Sequence, residues 1–310
     1  MKSCIAVLLA ALFHCSAVMA WSRPGHMVTA AIAYEELRAQ DPKILKRIIA
    51  LAERHPDRAA FEVAVAGARG SERRRRIFLE LARWPDDTRG SIHDHPTWHY
   101  SSRPLLNEAS PPARIPEDVP QGSANEAFAL NLSVAADPRA SAAERAVALC
   151  WIFHLVGDMH QPLHSVSQVS KRFPEGDRGG TAQFVRNPRT NASMSLHWFW
   201  DDIASSGAKP KEVMQRAREL MRKLPRAQFR ELKPFQNANE FSEWARESYQ
   251  LAATIAYGPE LRASDSANAA PKLSQRYLEL STQAAEKRLT LSSYRLTDVL
   301  RHAFREQKTR

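Results

Sequence analysis

The chain has 310 residues and a formal net charge of +10 at pH 7. This positive charge favours binding to polyanions, but it does not distinguish nucleic acid from anionic lipid or cell-envelope polymers. Only Cys150 lies beyond residue 20, which excludes an intramolecular disulfide in a chain that has lost those first residues. The run Arg73–Arg76 is predicted to be a solvated helix face rather than a dedicated nucleic-acid contact.

Residues 1–20 are predicted to be a secretory signal peptide. They begin with one positive charge, continue with the apolar stretch Ile5–Phe13 and end with small side chains ahead of Trp21. The stretch is too short to span a bilayer, which makes a transmembrane anchor the weaker alternative. We therefore expect a secreted or periplasmic protein without stable membrane insertion, whose mature part, residues 21–310, forms a single domain.

Helical periodicity dominates the mature chain, whereas strand-like alternation is nearly absent. Ser141 and Glu144 fit a capping box, and Pro210 suits the first turn of a helix. The stretches 101–124 and 165–192 are rich in Pro, Ser or Gly and are predicted to be long loops, which tend to be functional or disordered. Apolar residues at three- and four-residue spacing predict helices near 27–40, 43–53, 74–83, 125–135, 141–160, 210–224, 238–256 and 275–290.

The strongest chemical signal surrounds Asp158. His154 and Asp158 are four residues apart, so on a helix they share one face and can reach one ion. Pro162 disturbs the helix and could direct His164 toward a second ion, whereas His160 projects to the other side. An apolar helix that buried His and Asp without partners would be costly, which favours a metal site over incidental core histidines.

The spacing of four residues recurs at His197 and Asp201, where the intervening aromatic residues indicate a half-buried position. Weaker signals come from Asp86 and from His99, while residues 93–95 are interpreted as a solvated loop. If the leader is removed ahead of Trp21, the freed α-amino group becomes a further possible ligand. The candidate metal ligands are then Trp21, His26, Asp86, His99, His154, Asp158, His164, His197 and Asp201.

The chemistry of these ligands indicates the kind of metal site. Five imidazoles and three carboxylates, without a thiolate, suit Zn²⁺ in a hydrolytic rather than a structural site. The set is larger than one tetrahedral ion can use, so a multinuclear cluster is expected.

The order and spacing of these segments resemble the S1/P1 family of zinc-dependent nucleases, which are related in fold to bacterial zinc phospholipases C. The resemblance extends from Trp21 through Asp201. It implies an all-α, single-domain helical bundle with long loops around an active-site cleft and three zinc ions at its floor. The segments that carry it are Trp21 with His26, Trp84-Pro85-Asp86-Asp87-Thr88-Arg89, Trp98-His99-Tyr100, residues 154–164, and His197 with Asp201.

The same resemblance implies which residues hold each ion. Asp158 would be shared by two neighbouring ions. Asp86, His99, His154 and Asp158 would hold the first zinc, the Trp21 amine and carbonyl with His26 and Asp158 the second, and His164, His197 and Asp201 the third.

The implied activity is hydrolysis of single-stranded DNA and RNA to 5′-phosphorylated products, together with 3′-nucleotidase activity, by a monomer. A hydroxide between two zincs would be the nucleophile, because bound metal lowers the pKa of water from about 15.7 to about 7. Asp86 and Asp158 are the expected catalytic carboxylates, and Arg89 stands where the family has a phosphate-binding arginine. Tyr100 is predicted to stack on a base and Arg178 to contact substrate.

Three other functions stay open from the sequence. A zinc phospholipase C would act on phospholipid headgroups, and a non-catalytic protein would bind zinc and nucleic acid without releasing nucleotides. A phosphatase of small 3′-nucleotides could use the same cluster. Ser102 and Thr181 depart from the residues that the family often carries, a carboxylate and an asparagine, so base and substrate preference stay open.

Overall fold

The computed structural model describes residues 21–114 and 119–305, so the predicted signal peptide lies outside the described residues. The predicted all-α fold is confirmed. In the described ranges the helices are α1 (Arg23–Gln40), α2 (Pro42–Ala52), α3 (Arg58–Ala64), α4 (Gly70–Asp87), α5 (Ala124–Ala136), α6 (Ala142–Asp158), α7 (Leu196–Asp202), α8 (Pro210–Lys223), α9 (Glu240–Leu251) and α10 (Gln275–Phe304).

Each of the predicted helices corresponds to one of these elements, but several boundaries differ. Helix α4 continues through Pro85 to Asp87, although Pro85 has no N–H to donate to the carbonyl of Leu81. Helix α10 runs 14 residues past its predicted end at 290. Helices α3 and α7 are absent from the prediction, since each has 7 residues, which is too short to establish a period.

Local sequence signals at helix starts behave as predicted. Ser141 Oγ accepts a hydrogen bond from the amide of Glu144 at 3.2 Å, and the Glu144 carboxylate accepts one from the amide of Ser141 at 2.9 Å. This capping box begins α6. Pro210 occupies the first turn of α8, where its missing N–H costs nothing.

Three short strands lie in the stretches predicted as long loops, and a fourth begins directly after the second stretch. Strand β1 (Arg103–Leu106) pairs in parallel with β2 (Val166–Val169), with Arg103 opposite Val166. Strand β3 (Phe184–Arg186) pairs antiparallel with β4 (Ser193–Ser195). The pairing of β1 with β2 brings the segment after His99 beside the segment after His164, and the amide of Ser101 donates to the carbonyl of His164 at 2.9 Å.

Helix α6 lies at the centre of the hydrophobic core. From Ala148 to Asp158 every residue is buried, which is expected of a helix that is apolar all round. Helix α4 packs against both α6 and α1, α10 packs on α1, and α5 covers another side of α6. None of the described helices combines the length and apolar character that crossing a membrane would require.

A buried ionic network fastens α9 and α10 to the end of α6. Arg295 donates to both carboxylate oxygens of Glu247 and to Nε2 of His160, each within 2.8 Å. Arg288 donates to Glu247 at 2.8 Å and to the carbonyl of His160 at 3.3 Å. His160, which follows the end of α6 at Asp158, is therefore held in place by this network.

Candidate metal centre

Three helices and one short turn bring five of the predicted ligands together. His26 lies on α1, Asp86 in the last turn of α4, and His154 and Asp158 on the last two turns of α6, while His99 ends a 3₁₀ turn, Pro96–His99. These five residues, called the paired cluster below, are all buried. They converge because α1, α4 and α6 pack on one another around this point.

Asp158 joins the two halves of the paired cluster. Its Oδ1 lies 3.1 Å from Nε2 of His26. Its Oδ2 lies 3.1 Å from Nδ1 of His99 and 3.4 Å from Nε2 of His154. The two oxygens of one carboxylate therefore face different imidazoles, which is the arrangement that two neighbouring ions would require.

The tautomer of His154 leaves the lone pair of its Nε2 directed into the paired cluster. Its Nδ1 lies 2.9 Å from the carbonyl oxygen of Ala82, which can only accept a hydrogen bond, so Nδ1 carries the proton. Nε2 of the neutral ring then presents a lone pair to Nδ1 of His99 at 3.0 Å. The hydrogen bond to Ala82 also fixes the ring in the orientation typical of a metal-ligating histidine.

Several polar atoms of the paired cluster are buried without a hydrogen-bond partner. They are both carboxylate oxygens of Asp86, Oδ1 of Asp158 and both ring nitrogens of His26. His26 Nε2 and Asp158 Oδ1 are close, but their directions do not give a hydrogen bond. Uncompensated burial of such groups costs free energy, and two atoms that converge without bonding each other fit ligands of a shared ion.

His164, His197 and Asp201 form a second group, called the third-ion cluster below. Nδ1 of His164 lies 2.5 Å from the carbonyl of His99, and Nδ1 of His197 lies 2.7 Å from the carbonyl of Gly179. Both Nδ1 atoms therefore donate, and the two Nε2 lone pairs face each other at 3.1 Å. Asp201 Oδ1 lies 3.7 Å from Nε2 of His197, and its Oδ2 is buried without a partner.

Burial shifts the pKa values of ionisable groups in both clusters. Burial, reinforced by the charges of Asp86 and Asp201, raises the pKa of Asp158 well above its usual range. Burial also raises the pKa of Asp201 and lowers the pKa values of His26 and His99. Burial thus favours the neutral imidazole at His26 and His99 and disfavours the ionised form of Asp158 and Asp201, which a bound cation would stabilise.

The donor sets fit zinc. Among the described residues, three groups bring their ligand atoms within 4.8 Å of one another: His26, His154 and Asp158; Asp86, His99 and His154; and His164, His197 and Asp201. Nitrogen and oxygen donors without sulfur, in groups of three, leave room for water or substrate on each ion, as in hydrolytic zinc sites.

Trp21 is fully buried beside the paired cluster. The amide of the next residue, Ser22, donates to the carbonyl of Asp201 at 2.9 Å, so the start of α1 is attached to α7. Gly157 allows the close approach of this segment, because a Cβ there would lie 2.7 Å from Nδ1 of His26. The role of the Trp21 amine as a ligand stays a prediction.

The three predicted substrate residues lie in different environments. Nη2 of Arg89 lies 3.5 Å from Oδ1 of Asp86, which brings this arginine beside the paired cluster. Tyr100 is half-buried against Gly122, and burial raises the pKa of its hydroxyl. Arg178 is exposed and has a left-handed φ of 55°, and its amide donates to Ser167 Oγ. Only Arg89 contacts a predicted ligand through its side chain.

Sequence reasoning missed the residues that hold the third-ion cluster in place. The buried amide of Gln161 donates to Oδ1 of Asp201 at 2.6 Å, and its oxygen accepts from the amide of Leu163 at 2.6 Å. Gly179 acts through its backbone carbonyl. Neither a neutral amide nor a carbonyl is a typical zinc ligand, so only the position of Gln161 between Asp158 and His164 could have drawn attention to it.

The comparisons with known proteins agree with this geometry. A family model described as S1/P1 Nuclease matches residues 21–305. No curated protein matches the chain. The matched range begins at Trp21 and contains all the residues of the paired and third-ion clusters.

Proposed function

Since the chain belongs to the S1/P1 nuclease family, whose members are metal-dependent hydrolases of phosphodiester bonds, we propose that it is a trinuclear-zinc nuclease. Its substrates are single-stranded DNA and RNA, which it cleaves to 5′-phosphorylated products, and it also removes the phosphate of 3′-nucleotides. It acts after export, in the periplasm or outside the cell.

The observation that carries this proposal is the direction of the two Asp158 oxygens. One lies against His26 and the other against His99 and His154, at 3.1–3.4 Å. This supports a shared carboxylate between two ions. We assign Asp86, His99 and His154 with Asp158 to one of them, and the Trp21 backbone and His26 with Asp158 to the other, while His164, His197 and Asp201 hold the third.

Bound zinc would supply Lewis-acid polarisation of the phosphoryl group and activation of water near neutral pH. Arg89 would pair with the phosphoryl oxygens, and Asp86 orients its guanidinium from 3.5 Å. Tyr100 would provide a face for a base, which favours single strands because a paired base cannot swing out onto it, and Arg178 would make an outer contact to the backbone.

The test is metal quantification on the exported protein combined with product-end analysis on single-stranded DNA and RNA. We expect close to three zinc ions per chain, matching the three ligand groups, and products with 5′-phosphates and 3′-hydroxyls. Phosphatidylcholine and a 3′-nucleotide are assayed in parallel. Turnover of the lipid without cleavage of DNA or RNA would replace the proposal by a phospholipase C, and binding without product release would leave a non-catalytic protein.

A further inference from the structure

Two arginines stand side by side next to the paired cluster. Nη2 of Arg23 contacts Oδ1 of Asp87 at 2.6 Å, and Arg83 contacts Oδ2 of the same carboxylate through Nε at 2.9 Å and Nη2 at 2.7 Å. The side chains of Arg23 and Arg83 are 47 % and 32 % exposed. One carboxylate therefore holds two solvent-facing guanidinium groups in fixed positions.

The chain places this pair directly beside the proposed catalytic residues. Asp87 follows Asp86, and Arg23 lies three residues before His26 on α1, so the two are neighbours on one helix face. Arg89, two residues after the end of α4 at Asp87, contacts Asp86. Three arginines thus surround the carboxylate edge of the paired cluster.

The positive charge of this pair is only partly compensated. The Asp87 carboxylate pairs with one guanidinium nitrogen of Arg23 and accepts hydrogen bonds from two nitrogens of Arg83. The other guanidinium nitrogens of these two arginines have no partner among the described residues. Glu80 lies beneath Arg83, 3.7 Å from its Nε, but burial raises the pKa of Glu80 to about 7. The two guanidinium groups therefore share the single carboxylate of Asp87, and the N–H groups that it does not use suit a phosphate.

A groove between α3 and α4 opens next to Arg83. It has a volume of about 310 Å³ and is lined by small apolar side chains of α3, among them Ala60 and Val63, and by Glu80, Arg83 and Asp87 of α4. The side chain of Val63 is 78 % exposed at its edge. An apolar wall with a few charged groups at one end is the composition of a small-molecule subsite.

We propose that Arg23, Arg83 and this groove form a second nucleotide subsite, which binds the phosphate and base of a nucleotide adjacent to the one being cleaved. The phosphate pairs with the two guanidinium groups, and the base or sugar packs on the apolar side of α3. This inference rests on the proposed nuclease function, and it makes a polymeric substrate better than a single nucleotide.

The test uses the exported, zinc-loaded protein and the variants Arg23→Ala and Val63→Asp. Val63 is exposed, so its replacement puts a negative charge in the groove without disturbing the core. Arg139→Ala is the matched control, because Arg139 is also an exposed arginine paired with a carboxylate, Asp137. It precedes α6, whose 17 residues separate it by about 25 Å from Asp158.

Two measurements are made on each protein. The first is kcat and KM for a short oligothymidylate and for thymidine 3′-phosphate. The second is the binding of a cleavage-resistant phosphorothioate oligothymidylate, followed by fluorescence anisotropy over a range of salt concentrations.

We expect Arg23→Ala to raise KM for the oligonucleotide about tenfold, the usual loss for one charged hydrogen bond, and to affect the mononucleotide less. The slope of log Kd against the logarithm of the salt concentration should decrease by about 0.7, because one phosphate contact is lost. Val63→Asp should weaken oligonucleotide binding, and Arg139→Ala should match the wild type.

The outcomes separate the two proposals. If the wild type cleaves oligonucleotides but Arg23→Ala and Val63→Asp match Arg139→Ala in KM and salt dependence, the subsite is refuted and the nuclease function stands. If the wild type cleaves no oligonucleotide, the nuclease function is refuted, and the anisotropy series still shows whether Arg23 and the groove bind a polyanion.

Discussion

Replacing Gln161 by leucine should selectively loosen the zinc ion that we propose for the third-ion cluster. The change keeps the approximate volume of a fully buried side chain but removes the hydrogen bond that its amide donates to Oδ1 of Asp201 at 2.6 Å. That bond leaves Oδ2 of Asp201 for the ion. The change to leucine also removes the side-chain oxygen that accepts from the amide of Leu163. That hydrogen bond holds the turn before His164.

The size of the effect follows from the type of bond lost. A hydrogen bond to a charged group contributes about 1.5–3 kcal/mol, and 1.4 kcal/mol corresponds to about a tenfold change in an equilibrium constant. Loss of a supporting hydrogen bond behind a metal ligand usually lowers metal affinity about 10–100-fold. We therefore expect the dissociation constant of one zinc ion out of three to rise by one to two orders of magnitude.

The assay is competition with a chromogenic zinc chelator, which resolves the release of successive ions. Asn131→Leu is the control, since Asn131 is another buried amide, on α5, that donates only to the carbonyl of Ala127 at 2.7 Å. Both variants are checked for thermal unfolding with zinc present. Release of all zinc in Gln161→Leu with the wild-type affinities would refute the idea that this amide positions Asp201.

Three further results are expected. A protein made in the cytoplasm with one extra residue before Trp21 should bind about one zinc fewer than the exported protein and lose most activity. Equal zinc content in the two proteins would exclude the α-amine of Trp21 as a ligand. Asp158→Asn should remove two ions and Asp201→Asn one, and an identical single loss in both would contradict the shared carboxylate. Although burial opposes its ionisation, hydrogen bonds and charges from Arg295 and Arg288 lower the pKa of Glu247 to about 2. The contribution of Glu247 to the free energy of unfolding is therefore fully present above its ordinary pKa near 4.5 and is lost as the pH falls toward 2. Denaturant titrations of Glu247→Gln and wild type should give free energies of unfolding that converge near pH 2. A difference that stays constant with pH would refute this assignment.

The long helices could be predicted because their apolar residues recur at helical spacing over several turns. Helix α6 was the clearest case, since its capping box at Ser141 is followed by an apolar stretch that continues to its last turn. The short helix α7 could not be recognised in this way. Its seven residues are held by contacts at both ends, with the amide of Trp198 donating to Ser195 Oγ at the start and the amide of Ser22 donating to the carbonyl of Asp201 at the end.

The ligand residues could be proposed from their types and spacing, whereas the groups that orient them could not. His164 depends on the carbonyl of His99, and His197 on the carbonyl of Gly179, and such partners are set by tertiary packing. The same holds for Arg23 and Arg83, which are far apart in sequence and meet only through Asp87.

The backbone around His99 and His164 couples the two metal clusters mechanically. The His99 carbonyl receives the proton of the His164 ring, and the His164 carbonyl receives the amide proton of Ser101, two residues after His99. Each residue thus uses its own peptide group to fix the other's segment, while its ring belongs to a different cluster. The separation between the clusters is therefore set by the polypeptide, so that a shift of either imidazole would also displace the other.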